Sequence, residues 1–353
     1  AWQRIAPATH FTQTTPDDGQ PVSQETELRV LYTDEAIWFS FVCHDRQPDL
    51  MVVSDARRDA SLENTDSVLL ILDTYRDEQN GFVFGTNPAG LVYDGQLSKA
   101  GNGGSMGSGS IGGAGGGFNI NWDGVWEVRT QVGDFGWSAE FRIPFNTLRY
   151  PREEVQDWGA NFQRTIPRRI EKAYWAPLGR QFNILRLADA GTLSGLEIDD
   201  QRNLKFVPYV LAEASDIGDA GTQNDQEWGF DIKYSLTPAL TLDLTYNTDF
   251  AQVEADEAQV SLDRFNLFFP EKRPFFLENA GLFTVGMPRQ VELFLSRRIG
   301  LTDNGEIVPI VAGARVSGGL LGANVGLMYM QTEELAGVTP ANRFGVARVN
   351  KEL

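Results

Sequence analysis

Between Trp228 and Tyr246 every second residue is apolar. Trp228, Phe230, Ile232, Tyr234 and Leu236 alternate with Gly229, Asp231, Lys233 and Ser235, and after Thr237-Pro238 the pattern resumes through Leu240, Leu242, Leu244 and Tyr246. A period of two puts the apolar side chains on one face of an extended strand and the polar ones on the other, which a helix does not do. Val308, Ile310, Ala312, Ala314 and Val316 repeat the pattern, as do Leu321, Ala323, Val325, Leu327 and Tyr329. Residues 206–211 and 344–349 carry weaker copies. Segments of about ten residues with one apolar and one charged face fit transmembrane β-strands, and a soluble antiparallel sheet produces the same alternation. Trp228, Tyr246 and Tyr329 fall at strand ends, where an interfacial aromatic girdle lies.

The strands number six or seven, fewer than the roughly eight of the smallest closed membrane barrel. An open sheet edge cannot sit in lipid, so either the chain is part of a longer barrel or the strands do not cross a membrane. The chain has no run of about 18 apolar residues, which leaves strands as the only route across a bilayer. Ala1 in place of an initiator Met suggests a start at or after a processing site. A short turn at 237–239 faces the periplasm in a bacterial barrel, which makes the preceding domain periplasmic. Residues 246–279 interrupt the alternation with acidic and then aromatic residues. The expectation for 247–290 is an insert whose Phe-rich half packs into the barrel mouth or lumen, with Glu271, Lys272, Arg273 and Glu278 pairing there.

Residues 1–198 read as all-β. Residues 28–32 and 37–42 form a hairpin about Thr33-Asp34-Glu35-Ala36, and residues 67–72 are the near-continuous apolar run SVLLIL, fenced by Asp66 and Asp73, as expected for a strand buried on both faces. Residues 81–84, 90–93, 126–132 and 137–143 supply further strands. Short strands between Gly, Pro, Asn and Asp turns make a β-sandwich or jelly roll. The run 101–117 is low-complexity glycine and serine, a surface loop lacking the Lys-Ser/Thr of a phosphate cradle.

A formal charge of -18 excludes a nucleic-acid partner, which needs a clustered basic face. Two histidines without HExxH spacing and one cysteine give no basis for a zinc site. Neither GxSxG nor a Ser-His-Asp set occurs. Glu140 and Glu171 are the most enclosed carboxylates for a glycosidase, against the reading that each pairs with an arginine. Asp45, Asp66 and Asp73, near strand ends, offer oxygens for calcium or cap turns. Trp122, Trp126 and Trp175 are sugar platforms or core, with Arg164 as a hydroxyl donor beside them.

Residues 2–45, 64–95, 121–128, 136–150 and 158–169 together resemble the carbohydrate-binding family 9-like domain. The run NTDFAQVEADEAQVSLDRFNLFFPEKRPFFLEN with LSRRIG resembles the signature of bacterial outer-membrane proteins of domain-of-unknown-function family 5916. The resemblance implies an all-β chain: a β-sandwich at 1–198 followed at 199–353 by the first part of an antiparallel transmembrane β-barrel. It implies a Gram-negative outer-membrane location, lipid and an oligo- or polysaccharide as partners, and acidic strand-end positions matching Asp45, Asp66 and Asp73. The expected role is glycan binding or uptake without catalysis. A glycoside hydrolase of O-glycosyl bonds, or an assembly protein docking another protein, stands as the alternative.

Overall fold

The computed structural model describes residues 2–98, 117–199, 204–216, 222–247, 271, 273–283, 286–287, 291–302 and 307–351. Almost all of the glycine-rich run and the acidic-to-aromatic stretch 248–270 lie outside the described residues. The chain divides into two compact units at residues 200 and 201.

The first unit is a sandwich of twelve strands. They are β1 (Thr12–Thr15), β2 (Thr26–Tyr32), β3 (Ala36–His44), β4 (Ser67–Asp73), β5 (Gly81–Thr86), β6 (Tyr93–Ser98), β7 (Gly117–Asn119), β8 (Glu127–Gly133), β9 (Gly136–Pro144), β10 (Val155–Ile166), β11 (Glu171–Tyr174) and β12 (Gly191–Glu197). The large sheet runs β1-β11-β10-β4-β5-β6-β7, with β12 also on β10, and the small sheet runs β2-β3-β9-β8. Between them pack Phe39 and Phe41 of β3, Trp137 and Phe141 of β9, and Phe162 of β10, with Phe41 edge-on to both Phe141 and Phe162. Every residue of β4 is buried because the far face of the large sheet carries its own core, in which Leu62, Tyr174, Leu178, Ile184 and Leu187 cover Leu69 and Ile71. The strand expected at 90–93 begins instead at Tyr93. Gly90 sits at φ 77° in a turn held by Asn87, whose Oδ1 accepts from the Ala89 and Leu91 amides.

The second unit is a six-stranded antiparallel meander. Its strands are β13 (Leu204–Asp216), β14 (Thr222–Thr237), β15 (Leu240–Tyr246), β18 (Ile310–Leu320), β19 (Ala323–Thr332) and β20 (Arg343–Asn350), in that order across the sheet. Short strands β16 (Gly286–Met287) and β17 (Val291–Glu292) pair with each other between β15 and β18. Among the described residues β13 and β20 do not pair, so the sheet is open and the expected barrel is not closed by this set of strands. A register shift between Ile310 and Ala312 turns Ile310 to the opposite face from its expected neighbours, into the core beneath the insert. No helix among the described residues is long and apolar enough to cross a membrane.

Candidate functional site

The open face of the small sheet is built by period-two alternation. Inward positions carry Phe39, Phe41, Trp137 and Phe141, which leaves Glu27, Arg29, Trp38, Ser40, Val42, Ser138, Glu140, Arg142, Glu127, Arg129 and Gln131 on the other side. Strand register sets these in rows: Arg29, Ser40, Glu140 and Arg129 lie side by side across four strands, and Val42, Ser138 and Gln131 form the next row. Ser40, Val42 and Ser138 are short where their neighbours are long. The result is a groove of about 430 Å³ with a small-residue floor and walls of Arg29, Arg129, Gln131 and Glu140.

The N-terminal segment closes one side of it. Ala8 pairs with Leu28 on the edge of β2, and Arg29 Nε donates to the Ile5 carbonyl at 3.1 Å. Trp2 then reaches the groove, where its Nε1 donates to Glu140 Oε1 at 2.7 Å. Arg29 is also paired with Glu27 at 2.7 Å, and His44 meets the other Glu27 oxygen at 3.0 Å. The His44 hydrogen bond, assisted by Arg29, holds the Glu27 carboxyl below its ordinary value. Arg142 lies over the Trp38 ring and pairs with Glu127 at 3.4 Å. An indole beside planar guanidinium, carboxylate and amide groups is a combination that binds a sugar ring: the flat apolar surface meets C–H groups, and the fixed polar groups meet hydroxyls.

The residues expected to bind sugar are elsewhere. Trp122 and Trp126 are buried in the sandwich core, against Phe82, Phe84 and Phe141, and Trp175 is half-buried against Phe162. Arg164, 2% exposed, joins the two sheets: Nη1 donates to the Glu25 carbonyl and Thr26 Oγ1, and Nη2 donates to the His44 carbonyl at 2.8 Å. Of the two carboxylates, Glu140 stands in the groove. Glu171 is buried on β11 of the other sheet, where it accepts from the Ser23 amide at 3.0 Å and faces Arg169 at 3.9 Å. They belong to different sheets and share no partner, so they do not form a glycosidase pair.

The calcium candidates do not converge either. Asp45 accepts two bonds from Arg168 and one from the Gln47 amide, and a cation there would lie against a guanidinium. Asp66 caps Val52, and burial raises its carboxyl above the ordinary value. Asp73 accepts from the Asp77 and Glu78 amides, and burial pushes it to about 6. Among the described residues no three such side chains gather as a metal site, and these donors do not fit calcium.

The second unit offers a different kind of surface. Register places Leu204, Phe206, Pro208 and Val210 beside Tyr234, Ile232, Phe230 and Trp228. Next come Leu242, Leu244 and Tyr246, then Val316, Ala314 and Ala312. Leu327 and Tyr329, then Ala347 and Gly345, continue the rows. Two rows across all six strands are therefore apolar throughout, while the row of Phe230, Tyr246 and Ala312 ends in Gln331 and Arg343 on the last two strands. Phe206, Val210, Trp228, Leu327, Tyr329 and Val349 are exposed on this face. The other face carries Lys233, Asp243, Arg315 and Ser317, and the insert packs on that side.

The insert is anchored by its charged residues. Glu271 and Arg273 form a buried pair at 2.7 Å, and Arg273 also donates to the Ser296 and Ile299 carbonyls. Helix α1 (Pro274–Leu277) brings Phe275 and Phe276 down with Phe283 onto Ile310, Met328 and Met330. Glu278 pairs with Lys233, so Glu271, Arg273 and Glu278 all pair within this unit as expected, while Lys272 lies outside the described residues. Sequence reading missed Trp2, Arg29, Arg129, Lys233, Asp243 and Arg315. For the strand residues the available signal was charged side chains at every second position; Trp2 lies in the N-terminal turn, where no period marks it.

Residues 201–312 match the family described as Domain of unknown function (DUF5916). Among curated proteins none matches the chain. Among solved structures, a protein of Bacteroides uniformis ATCC 8492 whose carbohydrate binding is itself inferred is similar over 54% of this chain and 87% of its own, at 13% identity and a TM-score of 0.39. A carbohydrate binding module family 9 from Caldicellulosiruptor kristjanssonii, solved with cellotriose, is similar over 56% of this chain and 84% of its own, at 13% identity and a TM-score of 0.35.

Proposed function

We propose that the chain is part of an outer-membrane β-barrel protein whose sandwich binds a glycan in the groove beneath Trp2. The observation that carries the membrane reading is the broad apolar face of the six-stranded sheet, with polar Gln331 and Arg343 only at one end, set back to back with a charged one. A soluble protein rarely exposes an apolar patch of more than a few hundred Å², whereas a barrel turns such a face to lipid and the charged face to its lumen.

Dimensions and connections agree with that reading. From Trp228 to Leu236 the strand rises about 27 Å, which at a tilt near 40° spans about 21 Å, close to the roughly 25 Å apolar band of such barrels. At one end of the sheet the connections are short, at 238–239 and 321–322. At the other end they are the β13–β14 hairpin, the long insert and the 333–342 loop. Short turns belong to the periplasm. The chain enters β13 at the short-turn end, so the sandwich is periplasmic and its groove meets glycan there. Strands beyond the six described complete the barrel, since lipid tolerates no open edge.

Expression of the full-length protein in a Gram-negative host tests the membrane half. Outer-membrane fractionation and heat-modifiable electrophoretic migration are expected, and a monomer folded in buffer without detergent would contradict it. Affinity electrophoresis on a panel of neutral polysaccharides tests the glycan half, with retardation strongly weakened when Trp2 is replaced.

A further inference from the structure

The charged face of the six-stranded sheet holds a cationic site that the chain itself fills. Lys233 of β14, Asp243 of β15 and Arg315 of β18 are neighbours in register: Lys233 stands beside Asp243, and Asp243 beside Arg315. Asp243 Oδ2 accepts from Arg315 Nη2 at 2.7 Å, and Asp243 Oδ1 lies 3.7 Å from Lys233 Nζ. Within this trio two cations face one carboxylate, and Lys205, Asp231 and Arg348 stand on the same face of the sheet. The insert brings a further carboxylate to the trio: Glu278 pairs with Lys233, and its backbone carbonyl accepts from Arg315 Nη1 at 2.8 Å. Arg315 is 1% exposed, Asp243 4% and Glu278 6%, so the balance is struck in a poorly solvated place where an uncompensated charge is costly.

Residues 273–283 also meet the sheet through an apolar layer, with Phe275, Phe276 and Phe283 on Ile310, Met328 and Met330, and through hydrogen bonds. Asn279 Nδ2 donates to Ser317 Oγ at 3.2 Å, and Arg348 donates to the Gly281 and Leu282 carbonyls at 3.3 and 3.2 Å. Phe283 lies against Gly326, where a Cβ would stand 3.2 Å from its ring. These are the contacts of a docked segment whose apolar layer surrounds one charged centre, with the phenyl rings of Phe275 and Phe283 on the Arg315 guanidinium.

We infer that Lys233 and Arg315 form a carboxylate-binding site in the lumen, that Glu278 occupies it as an internal ligand, and that residues 273–283 are a plug which a carboxylate-bearing sugar displaces. The inference rests on the membrane reading, because only a barrel makes this face a lumen. A soluble uronate presents the same carboxylate to Lys233, and one of its ring or hydroxyl oxygens to Arg315 in place of the Glu278 carbonyl. It competes with an internal ligand that is held at high effective concentration, so displacement requires millimolar solute and is reversible.

The test uses the full-length protein in planar bilayers. Wild type is expected to open rarely, to open several-fold more often in millimolar galacturonate, and not to respond to galactose. E278Q keeps the shape and removes the charge, and is expected to open several-fold more often without any solute. A lock comes from geometry: a Cβ on Gly326 would lie 3.4 Å from the Leu282 Cβ, within disulfide reach. L282C/G326C is expected to close the E278Q channel on oxidation and to release it on reduction. A second readout needs no conductance: a thiol at 282 alone should react slowly with maleimide in the wild-type background and several-fold faster with E278Q. Channels that insert but ignore E278Q, galacturonate and the disulfide overturn the plug and leave the membrane reading standing. A protein that does not insert overturns both.

Discussion

Replacing Arg164 with methionine separates a structural from a ligand-binding role for this residue. The guanidinium donates to the Glu25 carbonyl at 2.8 Å, to Thr26 Oγ1 at 3.0 Å and to the His44 carbonyl at 2.8 Å, tying β10 of one sheet to β2 and β3 of the other. Methionine fills much of the volume but strands these acceptors, at about 1 kcal/mol or more each. Asp66 adds to the loss: burial already raises its carboxyl, and the nearby positive charge of Arg164 is one of the influences that restrain the rise. Breaking a buried ionic network by removing one member costs about 3–5 kcal/mol, and a value near 4 is expected here. With a urea dependence of about 2 kcal/mol per molar for a domain of this size, the midpoint of sandwich unfolding should fall by about 2 M. Tryptophan fluorescence reads it, since Trp122, Trp126, Trp137 and Trp158 are buried. Arg164→Lys, which keeps the charge but reaches fewer acceptors, should fall between. A midpoint unchanged to within about 0.5 M, accompanied by lost glycan binding, would refute this account and return Arg164 to the ligand.

Three further outcomes are expected. Asp73 titrates near 6 when folded against an ordinary 3.8, because burial disfavours its charge. The folded state therefore holds the proton more tightly, so its contribution is full below about pH 4, falls away by about 3 kcal/mol as the pH rises through 6, and is flat above. Urea midpoints from pH 4 to 7 should show that decline on top of the one from Asp94, which burial pushes to about 7, and Asp73→Asn should remove about 3 kcal/mol of the total. Trp2→Ala removes the indole over the groove and should weaken glycan retardation about tenfold while leaving the unfolding midpoint within about 0.3 M, as expected of a half-buried residue outside the core. Gly136→Ala should destabilise strongly: Gly136 sits at φ 119°, and a Cβ there would run into the Cys43 carbonyl. A midpoint within experimental error of wild type would contradict that close approach.

The sandwich was legible where burial is periodic. The hairpin at 33–36 and the strand at Ser67–Asp73 follow from alternation and an unbroken apolar run, and the structure supplies the second covering layer that such a run demands. Trp122 and Trp126 were harder, because they fall in a loop where no period tells which way a side chain turns. Here the loop folds them onto Phe82 and Phe84. Arg164 misled through its charge: β10 is buried along most of its length, and a buried arginine is legible only once the carbonyls that receive it are in place. The groove was illegible for a related reason, since Arg29, Ser40, Arg129 and Glu140 become neighbours only through the register of four strands. In the second unit the alternation indicated the faces directly, and the misreading at Ile310 came from a bulge, which shifts the period by one without leaving a mark in the sequence.

The central claim concerns which face of the six-stranded sheet meets lipid, and a nitroxide scan along β14 reads it directly. Single cysteines from 229 to 236 would be labelled in the full-length protein in lipid vesicles, with the buried Cys43 replaced by alanine. Accessibility to oxygen, which concentrates in the bilayer, should peak at 230, 232, 234 and 236. Accessibility to a water-soluble nickel chelate should be low there. Equal access of the nickel chelate at both parities, with no two-residue period in the oxygen signal, would contradict the account.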